Sequence, residues 1–351
     1  MSSLNLDDFT DLIERPDGGT RRDAEERRAR FAVPPGALGR LDELGEWLSA
    51  AQGAVPVRPV ARARVVVFAG DHGVASLGVS KRAAGTAAEL VREAVEGGSA
   101  GAVLARRLGL GVRIVDLALD CERDELPEAV EDRRVRRGSG RIDTEDALTP
   151  EEAEQAFRAG MAVADEEADS GTDLVVLGDL SVGGTTAAAT LVAALCGTDA
   201  SVVTGRGGDP IDDLAWMRKC AAVRDALRRA RPVLGDQLGL LAAVGGADLA
   251  AATGFLLQCA VRRTPVILDG VVSAACALVG QRVAFRAPDW WLAGQASGEP
   301  AQAKALDRMA MEPMLDQGVT VGGGAGALLA LPLVQAAAAL AAELPEVDAP
   351  R

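Results

Sequence analysis

Short apolar runs alternate along this chain with longer segments in which apolar residues recur at helical spacing. A parallel strand that is covered on both faces is apolar throughout, so each continuous run predicts a buried strand. These runs lie at 65–69, 112–116, 173–178 and 265–270. Helical spacing predicts helices at 38–48, 84–108, about 150–169 and about 213–230, with another from near Asp248 and a last one to about 343. Strands that alternate with helices indicate an α/β fold with a parallel sheet.

Two charged segments fall outside this alternation. Residues 1–30 are rich in Gly, Asp and Arg, and they predict a mobile or helical arm. Residues 121–148 are dense in Arg, Asp and Glu, and they predict a solvated excursion from the sheet. No fixed-period repeat is present, so the chain is not expected to be a repeat protein.

Composition narrows the class of protein. The 351 residues carry a formal charge of −14 and are 48% hydrophobic, which indicates a folded, acidic protein rather than a disordered one. The acidic balance argues against nucleic acid and anionic lipid as partners. Without 18 uninterrupted apolar residues or a signal peptide, a cytoplasmic protein is expected. Five scattered cysteines and a single histidine argue against a zinc site of the usual His/Cys type.

Three loops that follow inferred strands carry residues capable of chemistry. Glycines and threonines at 183–186, between a strand and a helix, can cradle a phosphate, although a capped tight turn fits the same pattern. Arg206 is a candidate phosphate ligand because a guanidinium matches phosphate oxygens. His72 and Asp269 each close a strand. Either can serve the site, or His72 can be structural and Asp269 can cap its own following helix. The residues alone therefore indicate a cytosolic α/β protein with a phosphate site.

Several segments, in this order, resemble one family, the nicotinate-nucleotide:dimethylbenzimidazole phosphoribosyltransferases of cobamide lower-ligand synthesis. The resemblance covers about residues 33–340. The matching segments are Pro34 to Leu41, Phe68 to Val74, Gly78-Val79-Ser80, Gly183 to Thr186, Gly205-Arg206-Gly207, Val244 to Ala250, Pro265 to Gly270, Glu299-Pro300, Glu312 to Asp316 and Gly322 to Pro332.

The resemblance implies a Rossmann-like parallel sheet with a smaller helical domain. Under this division, 31–64 contributes to the small helical domain, 65–290 forms the large α/β domain, and 291–351 completes the small domain and the site. The implied reaction moves phosphoribosyl from nicotinate mononucleotide to an aromatic base, without a metal or cofactor. The resemblance also implies a homodimer, or a heterodimer with a motif-complete paralogue.

The resemblance also assigns residues to the site. Ser80, Glu89 and His72 are expected to bind the base. The residues expected to bind phosphate and ribose are Gly183, Gly184, Thr185, Thr186, Arg206, Gly207, Asp269 and Gly270. The family's general-base glutamate corresponds to Gly323, and a glycine cannot accept a proton. Asp179, or alternatively Glu299, is the expected substitute.

These departures leave two hypotheses. In the first, the chain is an active phosphoribosyltransferase that works without the usual glutamate, on 5,6-dimethylbenzimidazole or an altered acceptor. In the second, it is a catalytically impaired paralogue that binds a ligand or serves as a partner subunit. The change at Gly323 and the altered loop before Gly183 motivate this hypothesis.

Overall fold

The computed structural model describes residues 4–347, and within them the strands form one parallel sheet. The strands are Ala63–Asp71 (β1), Gly111–Ala118 (β2), Val130–Asp132 (β3), Leu174–Val182 (β4), Val266–Leu268 (β5), Trp291–Gln295 (β6) and Pro313–Leu315 (β7). Their order is β3-β2-β1-β4-β5-β6-β7, and every neighbouring pair is parallel. The predicted α/β fold with a Rossmann-like parallel sheet is confirmed.

Helices cover both faces of the sheet. They are Asp8–Leu12 (α1), Gly18–Arg28 (α2), Arg40–Gln52 (α3), Ala87–Val95 (α4), Ala100–Arg107 (α5), Pro150–Asp169 (α6), Gly184–Cys196 (α7), Ala200–Val203 (α8), Asp213–Ala230 (α9), Gln237–Val244 (α10), Ala247–Val261 (α11), Gly270–Val283 (α12), Pro300–Met309 (α13) and Ala325–Glu343 (α14). Short 3-10 helices lie at Gly73–Leu77, Arg123–Glu125, Arg231–Val233 and Ala287–Trp290.

Alternate side chains of β1 enter two separate hydrophobic cores. Val66 and Phe68 pack with residues of α6, α7 and α11, while Val65 and Val67 pack with residues of α3, α5 and α14. All four are buried, as a strand covered on both faces requires. The continuous apolar run in the sequence therefore predicted β1 correctly.

The helix predicted at 84–108 is two helices. Gly97 adopts a left-handed conformation (φ +82°) after α4, and the Ser99 hydroxyl then caps α5 by accepting from the Ala102 N–H at 3.2 Å. A glycine followed by a serine cap ends one helix and starts another. Strands β3, β6 and β7 were not predicted from the sequence, because, unlike the three-residue strand β5, they do not lie in a continuous run of β-branched apolar residues.

The segment 121–148 is not simply a solvated excursion. Ile142, Ala147 and Leu148 are buried, and the Ser139 N–H donates to the Asp71 carbonyl at 2.8 Å. Its charges misled the prediction because many are paired: the Arg134 guanidinium, for example, lies 2.8 Å from the buried carboxylate of Asp116. The segment therefore packs against the carboxyl end of β1.

The two ends of the chain pack together. Within the arm expected at 1–30, α1 and α2 are helical, and Phe9 is buried with its ring 6.0 Å from that of Phe157. Phe31 pairs with Glu346 in an antiparallel bridge, and α3 packs on α14. The division into a large and a small domain stays a prediction.

One helix, α14, has the length and apolar composition of a membrane span. Half of that span is buried inside the protein, where Ala327, Leu331 and Val334 belong to a hydrophobic core. This burial is typical of a core helix.

Candidate active site

The largest group of predicted site residues meets at the carboxyl ends of β4 and β5, around a cavity of about 220 Å³. Ligands of open parallel sheets bind at this edge. Eight predicted residues line the cavity: Ser80, Asp179, Gly183, Thr185, Arg206, Gly207, Asp269 and Gly270. The structure thus brings together segments that lie far apart in the sequence.

The turn between β4 and α7 opens the amino end of a helix towards this cavity. Gly183 has φ +93°, and a Cβ there would lie 3.0 Å from the Cβ of His72, so the turn requires glycine. Gly183 and Thr185 line the cavity, whereas Gly184 and Thr186 do not, and Thr186 is fully buried. A helix amino end that faces a cavity favours an anion.

A buried lysine, which the sequence analysis missed, lies beside this turn. Lys219 of α9 is 1% exposed and donates from Nζ to the Thr185 hydroxyl at 2.8 Å. Burial lowers its pKa, and the neighbouring Glu299 opposes that shift. The signal was its position in the buried stripe of α9, with Ala215, Ala222 and Ala226. Lysine is rarely fully buried, so a lysine in the buried stripe of a helix indicates a functional role.

Arg206 and Glu299 hold the loop that forms one wall of the cavity. The Arg206 guanidinium donates to the Ile211 carbonyl at 2.7 Å and to the Asp213 carboxylate at 2.5 Å. Glu299 accepts from the Gly207 N–H at 2.8 Å. Arg206 is therefore already engaged within its own loop, and its expected contact with phosphate stays a prediction.

Asp179 is the carboxylate best placed to accept a proton. It lines the cavity near the end of β4 and accepts from the Ser181 hydroxyl at 3.0 Å. Burial raises its pKa to about 6, and the charge of Asp248 contributes in the same direction. A base with a pKa in this range is ionised at neutral pH and still takes up a proton readily.

Asp269 lines the same cavity, but its carboxylate is already hydrogen-bonded to a backbone N–H group. Its carboxylate accepts from the Ala327 N–H at 3.0 Å, at the amino end of α14, and makes no cap to its own helix α12. Burial raises its pKa to about 7, against the effect of the backbone N–H groups of α14. The expected cap of the following helix was wrong, because the carboxylate caps a different helix.

Gly323 lies in the turn before α14 and does not line the cavity, although Gly322 does. Its φ is +73°, and its N–H donates to the Asp179 carbonyl at 2.8 Å. A Cβ at this position would have only Leu180 within 4 Å, at 3.6 Å. The space admits a side chain, whereas the backbone conformation favours glycine.

Two residues predicted to bind the base lie away from the cavity wall. His72 is buried, and its Nε2 lies 3.0 Å from the Asp248 carboxylate. Glu89 is exposed on α4 and does not line the cavity, while its neighbour Leu90 does. Neither His72 nor Glu89 lines this cavity, and their contact with the base stays a prediction. No cluster of His, Cys, Asp and Glu that could hold a metal occurs within residues 4–347.

A parallel α/β sheet, an open helix amino end and a buried lysine define an α/β protein whose candidate ligand site lies at the carboxyl edge of its sheet. Comparison with known proteins identifies the family within this class. The model of a phosphoribosyltransferase family matches residues 13–349. The chain therefore belongs to this phosphoribosyltransferase family.

The relatives of this chain carry a more specific name. It is 83% identical, over 98% of its length and 92% of the relative, to a nicotinate-nucleotide--dimethylbenzimidazole phosphoribosyltransferase of Streptomyces avermitilis. It is 49% identical, over 93% of its length and 90% of the relative, to a protein of the same name from Mycobacterium tuberculosis. A crystal structure of that enzyme from Thermus thermophilus matches with a TM-score of 0.87 at 35% identity, covering 94% of this chain and 97% of that one.

Proposed function

We propose that this chain transfers the phosphoribosyl group of nicotinate mononucleotide to a ring nitrogen of 5,6-dimethylbenzimidazole or a similar base. The products are α-ribazole 5′-phosphate and nicotinate, in the biosynthesis of cobalamin. The names of the relatives support this reaction. The observation that carries it is one cavity with a phosphate-binding end, at Thr185 and Lys219, and a proton-accepting carboxylate, Asp179.

The reaction asks little of the protein beyond binding, alignment and proton removal. The glycosidic bond of the donor breaks, and its electron pair goes to the pyridinium nitrogen. Nicotinate therefore leaves with a neutral ring nitrogen. The acceptor nitrogen forms the new bond to ribose and loses its proton. Holding both substrates in line supplies most of the acceleration, and a positioned base adds about 10²–10⁴-fold.

Asp179 takes the proton in this proposal. Its carboxylate faces the cavity and has one neutral donor, Ser181. Glu299 also lines the cavity, but it is bound to the Gly207 N–H. Gly323 has no side chain to offer. The position of Asp179 in the cavity supports its proposed role as a substitute for the family's glutamate.

The proposed reaction needs no metal or cofactor, and we place it in the cytoplasm, in keeping with five free cysteines. A homodimer stays a prediction. Leu214 and Met217 are 68% and 61% exposed on α9, beside the cavity, and would suit such an interface. Nothing in the comparisons favours an impaired paralogue or partner subunit.

The test is nicotinate release from nicotinate mononucleotide, with and without 5,6-dimethylbenzimidazole. We expect acceptor-dependent release by the native chain, and a fall in kcat of about 10²–10⁴-fold in Asp179→Asn. Asp289→Asn is the matched control, because burial raises the pKa of Asp289 too, at the opposite edge of the sheet. Unchanged kcat in Asp179→Asn would remove Asp179 from the mechanism.

Gly323→Glu, which restores the family's residue, separates the two hypotheses for the chain. We expect no gain in rate, together with a loss of stability of about 1–2 kcal/mol from the left-handed backbone. An inactive native chain that becomes active in Gly323→Glu would instead indicate a scaffold that has lost its base.

A further inference from the structure

The chain between β1 and α4 supplies one wall of the candidate active site. Its residues Val79, Ser80 and Arg82 line the cavity of about 220 Å³, and so does Leu90 of α4. Val79 is buried, and Leu90 packs on the hydrophobic core that contains Leu180, which lines the same cavity. This wall therefore combines apolar surface with one cationic side chain. Such a combination suits a flat ring that bears a negative charge.

Arg82 differs from the other two cationic side chains that line this cavity. The Arg206 guanidinium is bound within its own loop, and the Lys219 ammonium donates to the Thr185 hydroxyl. Arg82 is exposed, and its guanidinium makes no hydrogen bond and no ion pair with any of residues 4–347. Its N–H groups are therefore available to a ligand in the cavity.

The backbone that carries Arg82 is held in place although its side chain is unpaired. The Arg82 N–H donates to the Ser80 hydroxyl at 3.2 Å. The neighbouring Lys81 ammonium lies 3.1 Å from the carboxylate of Asp209, on the loop across the cavity mouth. Arg218 of α9 donates to two carbonyls at the start of the segment, at 2.9 and 3.0 Å. A guanidinium on a fixed backbone loses less freedom when it binds a ligand.

The cavity is otherwise rich in acidic groups. The carboxylates that line it are Asp179, Asp209, Asp269 and Glu299. The donor of the proposed reaction has two anionic groups, its phosphate and the carboxylate of its pyridine ring. Like charges repel strongly where water is excluded, so each group needs a cation beside it. Lys219 is assigned to the phosphate, and Arg82 is the unpaired cation that remains for the carboxylate.

We propose that Arg82 binds the ring carboxylate of nicotinate mononucleotide and thereby determines which pyridine nucleotide serves as the donor. The inference rests on the proposed function. A guanidinium donates two parallel hydrogen bonds to a carboxylate, whereas a carboxamide has one oxygen and no charge. Nicotinamide mononucleotide has a carboxamide at this ring position and the same phosphate. Arg82 therefore distinguishes the two donors at the ring and not at the phosphate.

Steady-state kinetics with the two donors tests this assignment, with 5,6-dimethylbenzimidazole as the acceptor. In Arg82→Gln, kcat/KM for nicotinate mononucleotide should fall by about 10-fold, because a hydrogen bond to a charged group is lost. The value for nicotinamide mononucleotide should not change. Equal losses for both donors would assign Arg82 to the phosphate that they share, and no loss for either would place it outside the site. Both results would overturn the proposal.

Two further variants sharpen the measurement. Arg82→Glu places a like charge beside the carboxylate, so it should lower the preference for nicotinate mononucleotide further than Arg82→Gln does. Arg107→Gln is the matched control, because Arg107 is an exposed arginine of α5 that does not line the cavity. It should leave the kinetics with both donors unchanged. The same preference in Arg82→Glu and native protein would contradict the proposal.

Isothermal titration calorimetry of each mononucleotide, without acceptor, measures the contact in the absence of turnover. In Arg82→Gln, Kd for nicotinate mononucleotide should rise by about 10-fold, while Kd for nicotinamide mononucleotide stays the same. Failure of the proposed function is distinct, since it appears as absent nicotinate release by the native chain. Nicotinate release by the native chain, together with equal changes in both Kd values, would overturn only the role of Arg82.

Discussion

Two helices of this protein begin at glycine-rich turns, and their amino ends have opposite fates. Gly183 before α7 and Gly324 before α14 both have a left-handed backbone, with φ of +93° and +84°. At α7, Gly183 and Thr185 face the cavity. At α14, the Asp269 carboxylate occupies the amino end and accepts from Ala327. The same sequence signature thus opens onto the cavity in one place and binds the protein's own carboxylate in the other.

Asp179 connects the two turns. Its carbonyl accepts from the Gly323 N–H, which fixes the turn before α14, and its carboxylate faces the cavity with Ser181. The contrast teaches that a glycine-rich turn becomes a binding site only where the fold leaves its N–H groups without an internal anion.

Among the tests of the two turns, the largest effect should come from removing the cation beside the open turn at α7. Lys219→Met should lower kcat/KM for nicotinate mononucleotide by about 10–100-fold, because a hydrogen bond to a charged group contributes about 1.5–3 kcal/mol. Steady-state kinetics measure this. Lys304→Met, at an exposed lysine of α13, is the control and should leave the kinetics unchanged. A normal KM in Lys219→Met would mean that α7 does not bind the phosphate.

A matched pair of alanine variants tests the two turns against each other. Gly183→Ala and Gly324→Ala should each lower the free energy of unfolding by about 1–2 kcal/mol, because both positions have a left-handed backbone. Only Gly183→Ala should also raise KM for nicotinate mononucleotide. Denaturant unfolding and initial rates measure the two effects. A comparable rise in KM in both variants would show that the two turns do not differ in their contribution to ligand binding.

A third effect concerns the pH dependence of stability. Burial raises the pKa of Asp269 to about 7 from its ordinary value of 3.8, so between these values the folded state binds a proton that the unfolded state lacks. Stability contributed by this group therefore falls as pH rises from 4 to 7, by about 1 kcal/mol per pH unit.

Thermal unfolding of native protein and Asp269→Asn across this pH range measures that contribution. The difference in Tm between the two proteins should change with pH, with the native chain losing more of its stability towards pH 7. Parallel Tm curves would show that the carboxylate at α14 is not strained by burial.

The sequence predicted what depends on local pattern and missed what depends on distant contacts. The apolar runs of β1 and β4 and the turn at Gly183 were predicted correctly, since each is encoded within a few residues. The partner of Asp269 lies 58 residues further along the chain, at Ala327, so no local pattern reveals it. Lys219 lies between these two cases. Its position in the buried stripe of α9 predicts that it is buried, but it does not predict which residues the side chain contacts.

His72 shows the limit of reasoning from strand ends. Its place after β1 suggested contact with a ligand, yet the turn at Gly183 lies between it and the cavity, with the Gly183 Cβ position 3.0 Å from the His72 Cβ. The sequence located the residue near the site correctly. Only the packing of β1 against β4 and α11 places its side chain beside Asp248 and away from the cavity.

The loop between α8 and α9, which contains Arg206 and Gly207, also bears on the fluorescence of the protein. The chain has four tryptophans and no tyrosine, so tryptophan dominates its ultraviolet emission. Trp47, Trp290 and Trp291 cluster around the start of β6, away from the carboxyl edge of the sheet. Trp216 donates to the Thr204 carbonyl at 2.9 Å and lies against the Arg206 guanidinium. One indole thus packs against a loop that lines the cavity, so we expect its emission wavelength and intensity to respond to the arrangement of that loop.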